Sequence, residues 1–169
     1  MTNSSSASGS AGPVGVVSQT FEYFGTVRFD DTDANVHVNN GRYNAYCDEA
    51  ALQVFARGGM DVSDANGTGI GAITRRAEYE YPGQLKYADQ FRVDSTITFT
   101  KPTRIVFRHS IFRVATETCV CRCEAHGLWM DFRTGRPHRL SEQAMSNILH
   151  GSRAPLPDDA DDADAKPAG

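Results

Sequence analysis

The sequence predicts an α+β domain in which one long helix packs on the concave face of a five-stranded antiparallel sheet. Three observations carry that expectation. A helical apolar period occurs over about residues 41 to 57, a strict two-residue alternation runs from Phe91 to Thr100, and the remaining apolar runs are strand-like, with turn residues between them.

The first strand is expected at Phe21–Phe29, FEYFGTVRF, which is aromatic and β-branched. A polar loop, DDTDANVHVNN, follows it. From Gly41 the period turns helical, with Tyr43, Tyr46, Cys47, Ala50, Ala51, Val54 and Phe55 on one stripe. Asn39 or Asn40 suits the N-cap, and Gly58-Gly59 suits the stop. After the glycine-rich NGTGIGA connection a second strand is expected at Ile73–Tyr81. In the third, Phe91, Val93, Ser95, Ile97 and Phe99 share a face opposite Arg92, Asp94, Thr96, Thr98 and Thr100. Lys101-Pro102-Thr103 makes a turn, and Ile105–Thr116 returns as the fourth strand. Cys119–Phe132 is the fifth, with Cys119, Cys121, Cys123, Ala125, Gly127 and Trp129 on one face. A turn at Thr134–Pro137 leads to a short helix capped by Ser141 and ending near His150.

The chain of 169 residues suits one domain. Residues 1–17 are rich in Ser, Gly and Ala, and residues 152–169 form an acidic tail rich in Pro and Ala. Both are expected to be disordered, because neither can bury enough apolar surface to offset ordering. Residues 18–151 then form the domain. Seventeen basic and 21 acidic residues give a net charge of −4, much of it from the tail. No clustered basic face suggests nucleic acid, and no apolar run approaches the length of a membrane span. The N-terminus lacks a secretory pattern, so a soluble cytoplasmic protein is expected.

Cys119, Cys121 and Cys123 make a C-x-C-x-C run near His126, with Cys47 elsewhere. Zinc sites usually draw C-x2-4-C pairs from two segments, and only one segment is present. The expectation is packed, reduced thiols and no metal.

The chemistry is expected in residues 28–51, RFDDTDANVHVNNGRYNAYCDEAA. Asp31-Thr32-Asp33-Ala34 followed by His37-Val38-Asn39-Asn40 and Tyr43 resembles the hotdog fold, in which the sheet wraps around a long central helix. Within that fold the motif is similar to the branch of 4-hydroxybenzoyl-CoA thioesterase, the short acyl-CoA thioesterases and the plant acyl-ACP thioesterases. The likeness spans roughly residues 19 to 150, and the later GLWMDFRTGRPHRLSE is similar to the end of such domains. The resemblance implies that Asp33 is the catalytic carboxylate and that the amide of Asn40 polarises the thioester carbonyl. It adds a D-x-N-x-H arrangement of the plant type, here Asp33, Asn35 and His37. Two departures stand out. Many bacterial relatives carry Gly where this chain has Val36, and the plant type's further acidic site in the later sheet is given no position here.

Elementary chemistry fits these roles. Thioester hydrolysis needs a group that attacks the carbonyl carbon or activates water, and a donor for the oxyanion. Free N–H groups at a helix start, aided by the dipole, supply the donor. A carboxylate just before the helix can act as base or nucleophile. An imidazole at position 37 could share the proton traffic, and Asn35 and Asn39 could orient water or loop. Asn39 and Tyr43 are the candidate substrate-binding residues. Asp48 is the reserve acid, since another hotdog branch places its acid on this helix; otherwise it and Glu49 are a solvated helix face. Asp31 orients the loop. Arg75, Arg76, Arg104 and Arg108 are candidates for CoA phosphates, or else surface charges.

The expected activity is hydrolysis of an acyl-CoA, or an acyl-ACP, to free acid and thiol, with no cofactor. A homo-oligomer is expected, a dimer or dimer of dimers, because the sheet leaves edges unpaired. The alternatives are a hotdog dehydratase or hydratase, and a non-catalytic acyl-thioester-binding protein.

Overall fold

A computed structural model describes residues 12–60 and 69–151. The disordered tail expected at 152–169 lies outside these residues, as does most of the N-terminal segment. Strand β1 covers Phe21–Thr26, helix α1 Asn40–Arg57, β2 Ile70–Glu80, β3 Gln90–Lys101, β4 Arg104–Arg113, β5 Thr118–Asp131, β6 Arg136–Pro137 and α2 Glu142–His150. The sheet is antiparallel, curled around α1, with order β1-β3-β4-β5-β2 and the two-residue β6 beside β5. This is the expected helix-on-sheet architecture with one added short strand.

Helix α1 forms where its apolar stripe can be buried. Tyr43, Tyr46, Cys47, Ala50, Val54 and Phe55 all face inward. Tyr46 stacks on Phe91 at 4.2 Å, and Phe55 meets Trp129 edge-on at 5.2 Å. The helix stops in a Schellman arrangement: Gly59 N–H donates to Ala56, Met60 N–H to Phe55, and Gly59 holds φ +77°. A side chain at 59 would pay for that left-handed backbone.

Several boundaries differ from the sequence expectation. β1 ends at Thr26, because Phe29–Asp31 form a 3-10 turn in which the Asp31 carboxylate accepts from Arg28 N–H (2.9 Å). β4 ends at Arg113 and gives way to a helical turn at Val114–Thr116. Residues 14–17, assigned by composition to a disordered segment, instead run beside β3. Val14 bridges Phe99, and Val17 bridges Thr98. Backbone pairing asks only for extended, β-branched residues there, which the valines supply.

The three cysteines of β5 do not share one face. Val120 is an extra residue opposite the Ile111/Phe112 step, and this bulge turns both Val120 and Cys121 inward. Cys121 and Cys123 are buried, while Cys119 is only partly so. Among the described residues, no group of three or more His, Cys, Asp or Glu is placed to hold a metal. Among the same residues, no helix is long and apolar enough to cross a membrane.

Candidate active site

The loop before α1 is built as a miniature hairpin. Thr32 and Val38 bridge, Asp33 N–H donates to His37 C=O (3.0 Å), and Val36 N–H donates back to Asp33 C=O (3.0 Å). The Asp33 carboxylate accepts from Asn35 N–H at 2.8 Å, an Asx turn. To close the turn Val36 takes φ +64°, a left-handed backbone that β-branched residues rarely adopt.

The hairpin is held to the helix start on both sides. Asn39 N–H donates to Asp31 C=O (2.9 Å), and Arg42, one turn into α1, pairs with Asp30 and Asp31, each at 3.2 Å. Asp31 is buried and serves as the anchor of this loop. Asn39 is the N-cap: its side-chain oxygen accepts from Gly41 N–H (2.9 Å). The Asn40 N–H has no acceptor among the described residues, and its carbonyl accepts from the Tyr81 hydroxyl (3.3 Å).

Asp33, Asn35, His37, Asn39 and Asn40 are therefore gathered on one short loop at one helix end. Asn35 contributes its backbone amide rather than its side chain to Asp33. The half-buried His37 ring has no hydrogen-bond partner among the described residues. Tyr43 lies apart, 1 % exposed in the core, and its hydroxyl accepts from Leu85 N–H (3.0 Å).

A cleft of about 290 Å³ opens farther along the helix, between α1 and the β2–β5–β4 part of the sheet. Asp48, Phe55, Ile73, Tyr79 and His109 are among its walls, whereas the helix-entry residues 33–40 are not. Its polar end is a relay: Tyr79 O–H donates to Asn44 Oδ1, and Asn44 Nδ2 donates to Asp48 Oδ2, each at 2.7 Å. Asp48 keeps an exposed side, yet crowding holds its carboxyl above the usual range against the opposing pull of Asn44. His109 is buried, lies parallel to Phe107 at 5.2 Å, and pairs through Nδ1 with Ser95 Oγ (2.8 Å). Burial pushes its pKa down to about 4, so it sits neutral at pH 7.

Asn44, Tyr79, Ser95 and His109 were not singled out from the sequence as site residues. One signal was available: Ser95 is the polar member of an otherwise apolar row on β3, and such a residue needs a buried partner. The register supplies it, since Ser95 lies opposite His109.

A family model described as the thioesterase-like superfamily matches residues 27–163. The chain is 25% identical over 113 residues to a chloroplastic acyl-acyl carrier protein thioesterase of Arabidopsis thaliana, covering 67% of this chain and 59% of that relative's length. Among solved structures it resembles a 1,4-dihydroxy-2-naphthoyl-CoA thioesterase from Synechocystis (TM-score 0.71, 18% identity, 77% of this chain and 96% of that one). It also resembles a Staphylococcus aureus protein solved in complex with CoA (TM-score 0.72, 18% identity, 90% and 98%). At these identities the structural likeness speaks for the fold.

Proposed function

The chain belongs to the thioesterase-like superfamily, and from that premise we propose that it hydrolyses an acyl-CoA, or an acyl-ACP, with Asp33 as the working carboxylate. The observation that carries the proposal is the hairpin of residues 32–38, which ties Asp33 to a helix start whose first amide, on Asn40, is free.

In this mechanism the thioester carbonyl oxygen accepts from Asn40 N–H, where the helix dipole adds to the attraction of the developing oxyanion. Acting as base, Asp33 takes a proton from water as the water oxygen bonds to the carbonyl carbon. The tetrahedral intermediate then collapses, the C–S bond breaks, and the thiolate leaves and is protonated. Acting as nucleophile, Asp33 instead attacks the carbonyl carbon, the C–S bond breaks as the thiolate leaves and is protonated, and water cleaves the resulting mixed anhydride to the free acid and the Asp33 carboxylate. His37 relays protons at the mouth of the loop, and the Asn35 backbone holds the carboxylate's orientation. The acyl group occupies the cleft beside α1. A homodimer or dimer of dimers completes its open side, since the eleven-residue β2 is an edge strand that walls it.

The test is thiol release from a panel of acyl-CoAs and acyl-ACPs, by wild type and Asp33→Asn. Release that vanishes in a variant of unchanged melting temperature supports the reading. Full activity in that variant overturns it.

One observation favours a second assignment: Asp48 lines the cleft itself and is held partly protonation-prone by its surroundings. On that reading the attacking water would be activated from the flank of α1, and Asp48→Asn rather than Asp33→Asn would abolish release.

A further inference from the structure

His109 of β4 lines the cleft beside α1, and no step of the proposed hydrolysis uses it. It is 3 % exposed, and its ring is fixed from two sides. Phe107 lies parallel to it at 5.2 Å, and Ser95 Oγ meets Nδ1 at 2.8 Å. The direction of that second contact follows from hydrogen-bond accounting. Ser95 is buried, and its hydroxyl has no other partner among the described residues. Were Nδ1 the donor, the serine proton would be sealed in the core with nothing to accept it. The serine therefore donates to Nδ1. The ring is neutral at pH 7, so its single proton sits on Nε2.

That Nε2–H has no acceptor among the described residues. Nor is it sealed away: the buried side-chain atoms left without a partner there are Tyr46 Oη, Thr98 Oγ1 and Trp129 Nε1. The nitrogen keeps an open side, and the cavity its ring lines is the cleft. His109 thus presents a fixed, uncharged donor to the space beside α1.

The remaining walls say what this donor meets. Asn44, Asp48 and Tyr79 satisfy one another at the polar end, while Phe55, Ile105, Phe107 and Ala125 are apolar. Among the described residues, no Lys or Arg lines the cleft. A bulge in β2 helps to keep Arg75 and Arg76 out of it. Thr74 pairs with Gly127 and Arg76 with His126, which leaves Arg75 as the extra residue. With no cation to balance it, a carboxylate on the acyl group would be desolvated at heavy cost. The acceptor is then an uncharged oxygen. Residues 33–40 lie outside the cleft walls, so this oxygen belongs to the part of the acyl group remote from the thioester.

We propose that His109 is a specificity-determining residue whose Nε2–H donates to an uncharged oxygen, oxo or hydroxyl, on the remote part of the acyl group. This rests on the thioesterase reading and names its substrate class: acyl thioesters oxygenated away from the thioester, in preference to plain alkyl ones. Such a site discriminates strongly, because an alkyl chain leaves the buried N–H unpaired.

The experiment compares octanoyl-CoA with oxo-octanoyl-CoAs that carry the ketone at successive carbons away from the thioester. Turnover gives kcat/KM, and calorimetry gives Kd for the matching S-alkyl-CoA thioethers, which cannot be hydrolysed. The wild type should prefer at least one oxo isomer by about 10- to 100-fold in both measurements. Ser95→Ala/His109→Phe removes both halves of the buried pair and leaves neither unpaired. It should bring the oxo-to-alkyl ratio to within about twofold of one, chiefly by losing the oxo isomer. His109→Phe alone is the second variant, and the ratio is read from whichever folds by circular dichroism. His109→Gln, which keeps an N–H donor, should retain part of the preference. A wild type that prefers no oxo isomer overturns the proposal, as does a ratio that survives in the folded Phe variants. Failure of the underlying reading looks different: no thioester is hydrolysed, while the thioether Kd ratio still follows His109.

Discussion

The helix-entry loop and the cleft along the helix flank each present a carboxylate, but opposite physics governs them. Asp33 is held by one backbone donor, Asn35 N–H, and the loop that carries it leads into the helix start where the Asn40 amide is free. Asp48 has one side-chain donor, Asn44, and is governed by crowding that disfavours its charge. A carboxylate beside free amides can work on a carbonyl that those amides polarise. A carboxylate lifted by desolvation on a helix flank can equally be the polar end of a binding cleft. A perturbed pKa therefore marks the cleft, while the orientation of backbone dipoles marks the end at which we propose the reaction.

The largest expected effect separates the two directly. Asp33→Asn should lower kcat by about 10² to 10⁴-fold, the usual contribution of a positioned base. Asp48→Asn should change kcat less than about tenfold and act mainly on KM, as expected for a group that contacts the acyl portion. Steady-state kinetics of both variants on one acyl-CoA decides it, and a reversed order hands the chemistry to the cleft.

The next effect concerns stability and belongs to the cleft alone. His109 is neutral in the fold, with its pKa pushed down to about 4 from 6.5. The unfolded chain takes up that proton as pH falls through 6.5, while the folded chain resists until about 4. The contribution is fully present above pH 6.5 and drains away toward pH 4, on the order of 3 kcal/mol in all. Urea titrations at pH 7, 5.5 and 4 should show this slope in the wild type, and His109→Gln should flatten it.

Tyr43→Phe should come next, at about 1–3 kcal/mol, because it leaves the Leu85 N–H buried without an acceptor. Thermal melts measure it. Activity per folded molecule should hold if Tyr43 belongs to the core, and a kcat or KM change without destabilisation would return it to the substrate-binding set.

The same two regions differ in how far the sequence disclosed them. Helix α1 was readable because its stripe of seven apolar residues repeats at helical spacing, and the glycines that end it have a mechanical reason. The entry loop was readable as a set of residue types, because D-x-D, N and H are contiguous. Its geometry was not, since the Asx turn and the left-handed Val36 depend on which backbone groups close the hairpin. The cleft was almost silent. Asn44 and Asp48 are close in sequence, but Tyr79, Ser95 and His109 join them only through strand register. The bulges at Val120 and Arg75 were also hidden, because one extra residue in a ladder leaves composition and alternation nearly unchanged. Those two bulges decide which way Cys119 and Arg75 face.

Val36 offers the smallest effect and the sharpest comparison. An L-residue in the left-handed region costs about 1–2 kcal/mol, more for a branched side chain than for others. Glycine removes that cost but gives back about 0.5–1 kcal/mol through the greater freedom of the unfolded chain. Val36→Gly should therefore stabilise the protein by up to about 1 kcal/mol in urea unfolding. Its effect on catalysis should be confined to the loop. The Val36 N–H to Asp33 C=O bond closes the turn that aims the carboxylate, so a looser residue should lower kcat a few-fold and leave KM alone. A glycine placed in the cleft wall, Ala51→Gly, should do the reverse: it costs about 1 kcal/mol of helix propensity and shifts KM. If Val36→Gly destabilises instead, the hairpin does not hold Val36 in a strained backbone. The aim of Asp33 must then come from elsewhere in the loop, with the Arg42 clamp on Asp30 and Asp31 the next contact to cut.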